Sequence, residues 1–272
     1  MSLAILSNFQ GLVVDDLVCV NDGDVAIFFV CYDLLVNASE YNTKHPNDTP
    51  VYVDLGSYKG AWASMIRCLV GGIPTIHAFE PAMDHYSEIE RRFAKDSSFI
   101  LHKNAVSDFE GEHTLIYTGG GGHLVAETDC VVKETRTEVV STKRYDIQEK
   151  IHIMKVDIDG GEARLLPTLF PRFEAGDFHA LICEWTITEW ATTKEDATRM
   201  ARDILGKMVG LFPYVYGLSR NRAPFLVRIV AADVDGWVAD HYDRKLSTDV
   251  LFSHQAIKQM TTVPFSPGSW YA

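Results

Sequence analysis

The ten residues Val51-Tyr52-Val53-Asp54-Leu55-Gly56-Ser57-Tyr58-Lys59-Gly60 constrain this chain more than any other stretch. A short apolar run ending in glycine reads as a buried strand that stops in a turn and enters a helix. Glycine permits the turn and lets the backbone come close to a ligand. A second such run, Thr75-Ile76-His77-Ala78-Phe79, is closed by Glu80-Pro81, 26 residues beyond Asp54. A carboxylate at the end of a second strand is placed to accept bonds from the two hydroxyls of a ribose. The pyrophosphate pattern G-x-G-x-x-G is absent, because the turn holds only Gly56 and Gly60.

From Val51 onward, strand and helix signals alternate. Strand 51–55 leads to a helix near 60–70 that Gly71-Gly72 ends, and strand 75–79 leads to a helix near 84–95 with Tyr86, Ile89 and Phe93 at helical spacing. A third strand covers Phe99 to Val106. His113 to Tyr117, Val125 to Glu127 and Val131 to Val140 then read as short strands separated by Gly119 to Gly122, an antiparallel insertion or flap. Ile151 to Asp157 and Ala180 to Glu184 are the fourth and fifth core strands, with helices opening at Gly160-Gly161-Glu162 and near 194–209. Tyr214 to Tyr216 and Phe225 to Ala231 would close the sheet as a pair. Such alternation predicts a mostly parallel α/β sheet with helices on both faces. Residues 1–49 form a helical extension, in which Asp24 would cap a helix with Ile27, Phe28, Cys31, Leu34 and Leu35 on one stripe, and 50–272 form one domain with its insertion at 110–142.

Charge and cysteine usage exclude several function classes. A formal net charge of −12 argues against nucleic acid as a partner, since phosphate binding needs lysine and arginine. The five cysteines are scattered and odd in number, which supports neither a disulfide framework nor a zinc site. Ala26 to Val36 is apolar but too short to span a bilayer, and the N-terminus lacks a basic signal region. The expectation is a soluble, cytoplasmic protein with no membrane partner; a homo-oligomer is left open.

Ligands in open α/β sheets bind beyond the carboxyl ends of the strands. Asp54, Glu80, Asn104, Asp157 and Glu184 all fall at such ends. An acid at the turn repels a pyrophosphate, yet it accepts hydrogen bonds from an ammonium. S-adenosylmethionine offers an ammonium and a ribose diol without any phosphate, so Asp54 together with the missing glycine favours it over a dinucleotide.

The motifs Val53-Asp54-Leu55-Gly56-Ser57-Tyr58-Lys59-Gly60, Phe79-Glu80-Pro81, Asn104-Ala105-Val106-Ser107-Asp108 and Lys155-Val156-Asp157-Ile158-Asp159-Gly160-Gly161-Glu162 resemble, in order and spacing, those of FkbM-family methyltransferases. The resemblance covers about residues 50 to 186. It implies a class I methyltransferase (Rossmann-like) fold with a seven-stranded sheet, S-adenosylmethionine as cofactor, and O-methylation of a sugar, polyketide or similar small-molecule hydroxyl. It also implies a cofactor-contact set of Asp54, Gly56, Ser57, Lys59, Gly60, Glu80, Pro81, Asn104, Ala105 and Asp157. The chain departs from the family where Ser57-Tyr58-Lys59-Gly60 replaces a smaller Ala-Asn-x-Gly, where Asp159 replaces a glutamate and where Gly161 replaces an alanine. Lys59 would meet the cofactor carboxylate or point to solvent.

Methyl transfer needs the acceptor oxygen held close and aligned, with a base in reach of its proton. Asp157, Asp159, Glu162 and Glu184 are the nearest carboxylates; Asp159 is the first choice for acceptor contact or base, with Asp157 and Glu184 as rivals. A lysine in a central strand needs a partner, which makes an ion pair of Lys155 with Glu184 or Asp157 its expected role. Oxygen ligands from Asp157, Asp159 and Glu184 would suit magnesium or calcium; acidic clusters without metal are common, and no metal is favoured. His123 and His179 are weaker base candidates. Trp185 and Trp190 wall an acceptor pocket or pack in the core. The expected acceptor is a small molecule or glycan. A nicotinamide-dependent oxidoreductase and a non-catalytic binding module on the same fold are the competing readings.

Overall fold

Along the first strand, β1 (Val51–Leu55), every residue is buried, so the strand is covered on both faces. Val51, Val53 and Leu55 point into one apolar layer, and Tyr52 points into the other. The computed structural model describes residues 26–35, 49–69, 74–118, 121–125, 136–219 and 225–268. Residues 26–35 are a helix, α1, whose Ala26, Ile27, Val30, Cys31, Leu34 and Leu35 are buried. The expected cap, Asp24, lies outside the described residues.

Beyond β1 the elements run α2 (Ala61–Leu69), β2 (Thr75–Phe79), α3 (Met83–Phe93), β3 (Phe99–His102), β4 (Ala105–Val106), β5 (Gly111–Thr118), β6 (Gly121–Val125), β7 (Arg136–Lys143), β8 (Ile151–Val156), α4 (Glu162–Glu174), β9 (Phe178–Trp185), α5 (Lys194–Leu211), β10 (Tyr214–Leu218), β11 (Leu226–Arg228), α6 (Val234–Arg244), β12 (Thr248–Ser253) and β13 (Thr262–Pro264). The large sheet has the order β13-β11-β10-β12-β9-β8-β1-β2-β3. From β3 to β9 neighbours are parallel; β12 is antiparallel to both β9 and β10. The seven strands β3-β2-β1-β8-β9-β12-β10 have the class I methyltransferase arrangement, and β11 and β13 extend its edge. Helices α1 and α2 cover one face, packing on Tyr52, Ile76, Ile153 and Ile182. Helices α4, α5 and α6 cover the other, packing on Val53, Leu55, Met154, Val156 and Cys183.

Three expectations are corrected. The third strand does not run from Phe99 to Val106: the chain leaves the large sheet after His102, and Ala105–Val106 pairs with β7 in a second sheet ordered β4-β7-β5-β6. The pair β10 and β11 exists, but it does not close the sheet on β9. β12, a short run with no glycine turn to announce it, inserts between β9 and β10. Lastly, the glycine tract is not simply a separator, since Gly121 and Gly122 belong to β6 and pair with Thr118 and Tyr117. Most of the region expected as a strand from 131 to 140 lies outside the described residues or inside β7. No helix among the described residues is long and apolar enough to cross a membrane.

Candidate active site at the carboxyl edge of the sheet

Gly56 turns the chain out of β1 at φ 78°, a conformation that L side chains rarely adopt. Its position is also closed to any side chain. A Cβ there would sit 1.7 Å from the backbone oxygen of Asp157 at the end of β8. The donors of this turn are largely spent within the protein. Gly56 and Ser57 give their N–H groups to Phe79 O at 3.1 and 3.0 Å, Tyr58 gives its own to Glu80 Oε2 at 2.7 Å, and Gly60 donates to Ser57 O at 2.7 Å. Ser57 Oγ donates to Asp54 O at 2.9 Å.

Glu80 is nearly buried at the end of β2. It accepts from Tyr58 N–H on one oxygen and from Ala82 N–H, at 2.9 Å, on the other. His85 Nδ1 stands 3.4 Å from that second oxygen. Each carboxylate oxygen offers about two lone-pair sites; Oε2, with one backbone bond, keeps one open, whereas Oε1 carries both Ala82 N–H and the longer His85 contact. Pro81 and Ala82 lead into α3. Asn104 turns its amide onto Ala105 O at 2.9 Å, and Ala105 joins Ala82, Leu115 and Val140 in a small apolar cluster that ties the second sheet to the start of α3. Lys59 goes elsewhere: its Nζ lies 3.8 Å from Glu88 Oε2 and 5.3 Å from the centre of the Tyr58 ring. Of the expected cofactor set, it is the residue whose side chain turns away along α3.

The centre of the edge is a buried charge network. Asp54 and Lys155 are register partners on β1 and β8 and share a sheet face with Asp157. Lys155 Nζ donates to Asp157 Oδ2 at 2.7 Å, so the expected ion pair is with Asp157. Burial alone would drive the Lys155 ammonium down; Asp157, Asp54 and Asp249 outweigh it and hold the group above its usual range. Asp54 is fully buried, and neither of its carboxylate oxygens has a hydrogen-bond partner among the described residues. Burial pushes its carboxyl up to about 7, and Asp157 and Glu80 push the same way against the pull of Lys155. Asp249 was invisible to sequence reasoning, because the strand that carries it, β12, was not anticipated. It sits opposite Glu184 in the β9–β12 ladder.

Asp157, Asp159 and Glu184 are brought together: each offers an oxygen, and those oxygens lie within 4.8 Å of one another. Asp159 occupies a left-handed backbone position, φ 49°, which aspartate tolerates better than most residues. Gly160 follows at φ 89°, where a Cβ would press on Glu189 at 3.3 Å. Ser247 Oγ donates to Glu184 Oε1 at 2.7 Å. The donor set is all oxygen, as a hard divalent cation requires. One member, however, already holds the Lys155 ammonium, which supplies a cation there without metal.

Other candidates are placed differently. Glu162 folds back to accept from Ile158 N–H at 2.8 Å and Gly160 N–H at 3.0 Å, clasping the turn that carries Asp159. Burial pushes its carboxyl up to about 8. Replacing Glu162 by alanine leaves two backbone donors of that turn without their acceptor, at a cost of about 2 kcal/mol. A thermal midpoint about 5 °C below wild type by circular dichroism is expected; an unchanged midpoint would remove the clasp from the account. Trp185 and Trp190 are core residues, packed with Trp237, rather than an open wall. His179 lies near the amino end of β9, opposite the site. The side chain of His123 is outside the described residues.

No family model and no curated protein matches the sequence. Among solved structures, the chain is similar to a methyltransferase FkbM from Methylobacillus flagellatus KT, at 15% identity and a TM-score of 0.45, over 75% of this chain and 43% of that one. It is also similar to the N-terminal domain of human METTL16 in complex with SAH, at 9% identity and a TM-score of 0.33, over 81% of this chain and 69% of that one. The chain thus spans less than half the length of the FkbM methyltransferase chain it matches.

Proposed function

We propose that this protein is an S-adenosylmethionine-dependent methyltransferase that methylates a hydroxyl of a neutral small molecule or sugar. One observation carries the reading: the polarity of the turn after β1. Its N–H groups at 56, 57, 58 and 60 are spent within the protein, whereas neither oxygen of the buried Asp54 carboxylate has a hydrogen-bond partner among the described residues. A pyrophosphate needs free donors at such a turn. An ammonium needs an acceptor, and a buried acceptor without one is costly. This polarity weighs against a nicotinamide dinucleotide and favours the amino-acid end of S-adenosylmethionine. Glu80, with a lone pair open on Oε2 and only the 3.4 Å His85 contact to displace on Oε1, suits the ribose diol.

When bound, S-adenosylmethionine supplies a methyl group activated by a sulfonium. The chain's own residues then have separable tasks. Asp54 would hold the ammonium and Glu80 the ribose. Asp159, on its turn between Asp157 and Glu189, takes the proton from the acceptor hydroxyl; Glu184 stands beside it. A proton arriving at Asp157 would have to displace the ion pair with Lys155, which makes that residue the poorer base. Lys155 keeps the cluster from carrying its full negative charge. The remaining carboxylates repel anionic acceptors and leave neutral polyols as the better fit.

Calorimetry with S-adenosylhomocysteine tests the binding half. Wild type is expected to bind at micromolar concentration, on the order typical of cofactor sites, and Glu80→Gln to bind at least about tenfold more weakly, as loss of a charged hydrogen-bond acceptor implies. Absence of heat with wild type, or saturation by NADH instead, would sink the reading.

A further inference from the structure

Tyr58 stands in the turn with no task in the reading above, and its geometry calls for one. Its backbone lies at φ 49°, a genuine outlier for a bulky residue. Burial does not compensate, because the side chain is 44% exposed. Strained positions of this kind persist where the surroundings hold them, and they cluster at ligand sites. The surroundings here are specific. The Tyr58 N–H is bound to Glu80 Oε2 at 2.7 Å, and the ring meets the His85 ring edge-on with centroids 4.4 Å apart. His85 itself reaches the other Glu80 oxygen at 3.4 Å. Lys59, tied to Glu88, lies over the Tyr58 ring. An exposed aromatic ring and a hydrogen-bonding carboxylate are thereby locked into one unit at the carboxyl edge of the sheet.

We propose that Tyr58, braced by His85, is an aromatic clamp for the nucleoside that Glu80 holds by its diol; this rests on the nucleoside-cofactor reading and adds a contact to it. The chemistry suits an adenosine-type ligand. Glu80 takes the two sugar hydroxyls, the ring packs on the sugar and base by stacking and C–H contact, and the covered carboxylate gains strength as water leaves. Neither function can be met by the small residue that a left-handed turn position would otherwise favour, which explains why a strained tyrosine occupies it.

The test is calorimetry on the full chain with S-adenosylhomocysteine and, separately, with adenosine, for wild type, Tyr58→Phe and Tyr58→Asn. Asparagine accepts the left-handed conformation and keeps the N–H to Glu80, so it removes the ring without straining the turn. The clamp predicts that Tyr58→Phe binds both ligands within about twofold of wild type, and that Tyr58→Asn binds both about tenfold more weakly, as loss of one aromatic stack implies, with a thermal midpoint at or above that of wild type. Equal binding by Tyr58→Asn and wild type would overturn the clamp and leave the cofactor reading intact. A loss as large in Tyr58→Phe would assign the effect to the hydroxyl and overturn the ring's role. A loss confined to S-adenosylhomocysteine would place the contact off the nucleoside and overturn the clamp as well. Failure of wild type to bind S-adenosylhomocysteine overturns the reading beneath it, and the clamp with it.

Discussion

A Gly56→Ala protein is expected to melt about 10 °C or more below wild type and to bind no cofactor, because two independent costs fall on one methyl group. The left-handed turn costs an alanine about 1–2 kcal/mol. The clash is larger in kind, since the new Cβ would lie 1.7 Å from Asp157 O and 2.8 Å from Asp157 C, both backbone atoms of a strand end that cannot swing aside as a side chain would. Overpacking of this sort costs about 1–3 kcal/mol where side chains can adjust. The total is about 4 kcal/mol against a typical stability of about 5–15 kcal/mol, and at about 2–4 °C per kcal/mol the midpoint moves by roughly that much. Gly206→Ala is the matched control. That glycine lies within α5 with nothing within 4 Å of a built Cβ, so alanine there should raise stability by about 0.5–1 kcal/mol. Calorimetric melts of both proteins check the pair. A Gly56→Ala midpoint within about 2 °C of wild type would mean that the β1 turn and the end of β8 are not pressed together as described.

Asp54→Asn is expected to act in opposite directions on stability and on binding. The Asp54 carboxyl is raised from its usual 3.8 to about 7 by burial. A raised carboxyl binds its proton more tightly in the folded chain than in the unfolded one. Stability therefore falls as pH climbs through this window, and the full cost is present above about pH 7. At 1.36 kcal/mol per pH unit the gap comes to about 4 kcal/mol. Asparagine removes that cost, and Lys155 keeps Asp157 and Asp249 as counter-charges. The variant should melt higher than wild type at pH 8 and close to it at pH 4. Its affinity for S-adenosylhomocysteine should drop by about 100-fold, since the ammonium loses a buried anionic partner. Melting curves across pH and a calorimetric titration decide the matter; unchanged affinity, or a melting difference independent of pH, would count against the assignment.

What was legible in the sequence is what local patterns encode. β1, β2, β8 and β9 are short buried runs, and α3 carries Tyr86, Ile89 and Phe93 at helical spacing, so each was placed close to its observed bounds. The acids at the strand ends followed from topology, and the structure brings Asp157, Asp159 and Glu184 within reach of one another. The bend at Lys103 and Asn104 was not legible, because nothing in the run from Phe99 to Val106 says which of two sheets each half will join. β12 was missed for a related reason. Its pairing with β9 is a long-range choice, made by the open edge of a distant strand. With it went Asp249 and the Ser247 bond to Glu184. Lys59 could not be assigned from its own segment, since its partner Glu88 lies on the next helix.

The place of β12 in the sheet bears on how the chain folds. β9 is a fully apolar central strand for most of its length, and on one side its ladder stays unpaired until β12 arrives, after α5, β10, β11 and α6 have been made. The sheet cannot be laid down in the order of synthesis: β10 must wait beside a gap, or pair early and then yield it. Non-local pairing of this kind slows folding, and a bare apolar edge is an invitation to other chains. During that interval a nascent chain already holds the turns of β1 and β2, yet lacks Ser247 and Asp249 at the far end of the edge. The turns of β1 and β2 are thus available early, and the end of the edge that carries Glu184 waits for β12, with Asp249 on it and Ser247 just before it.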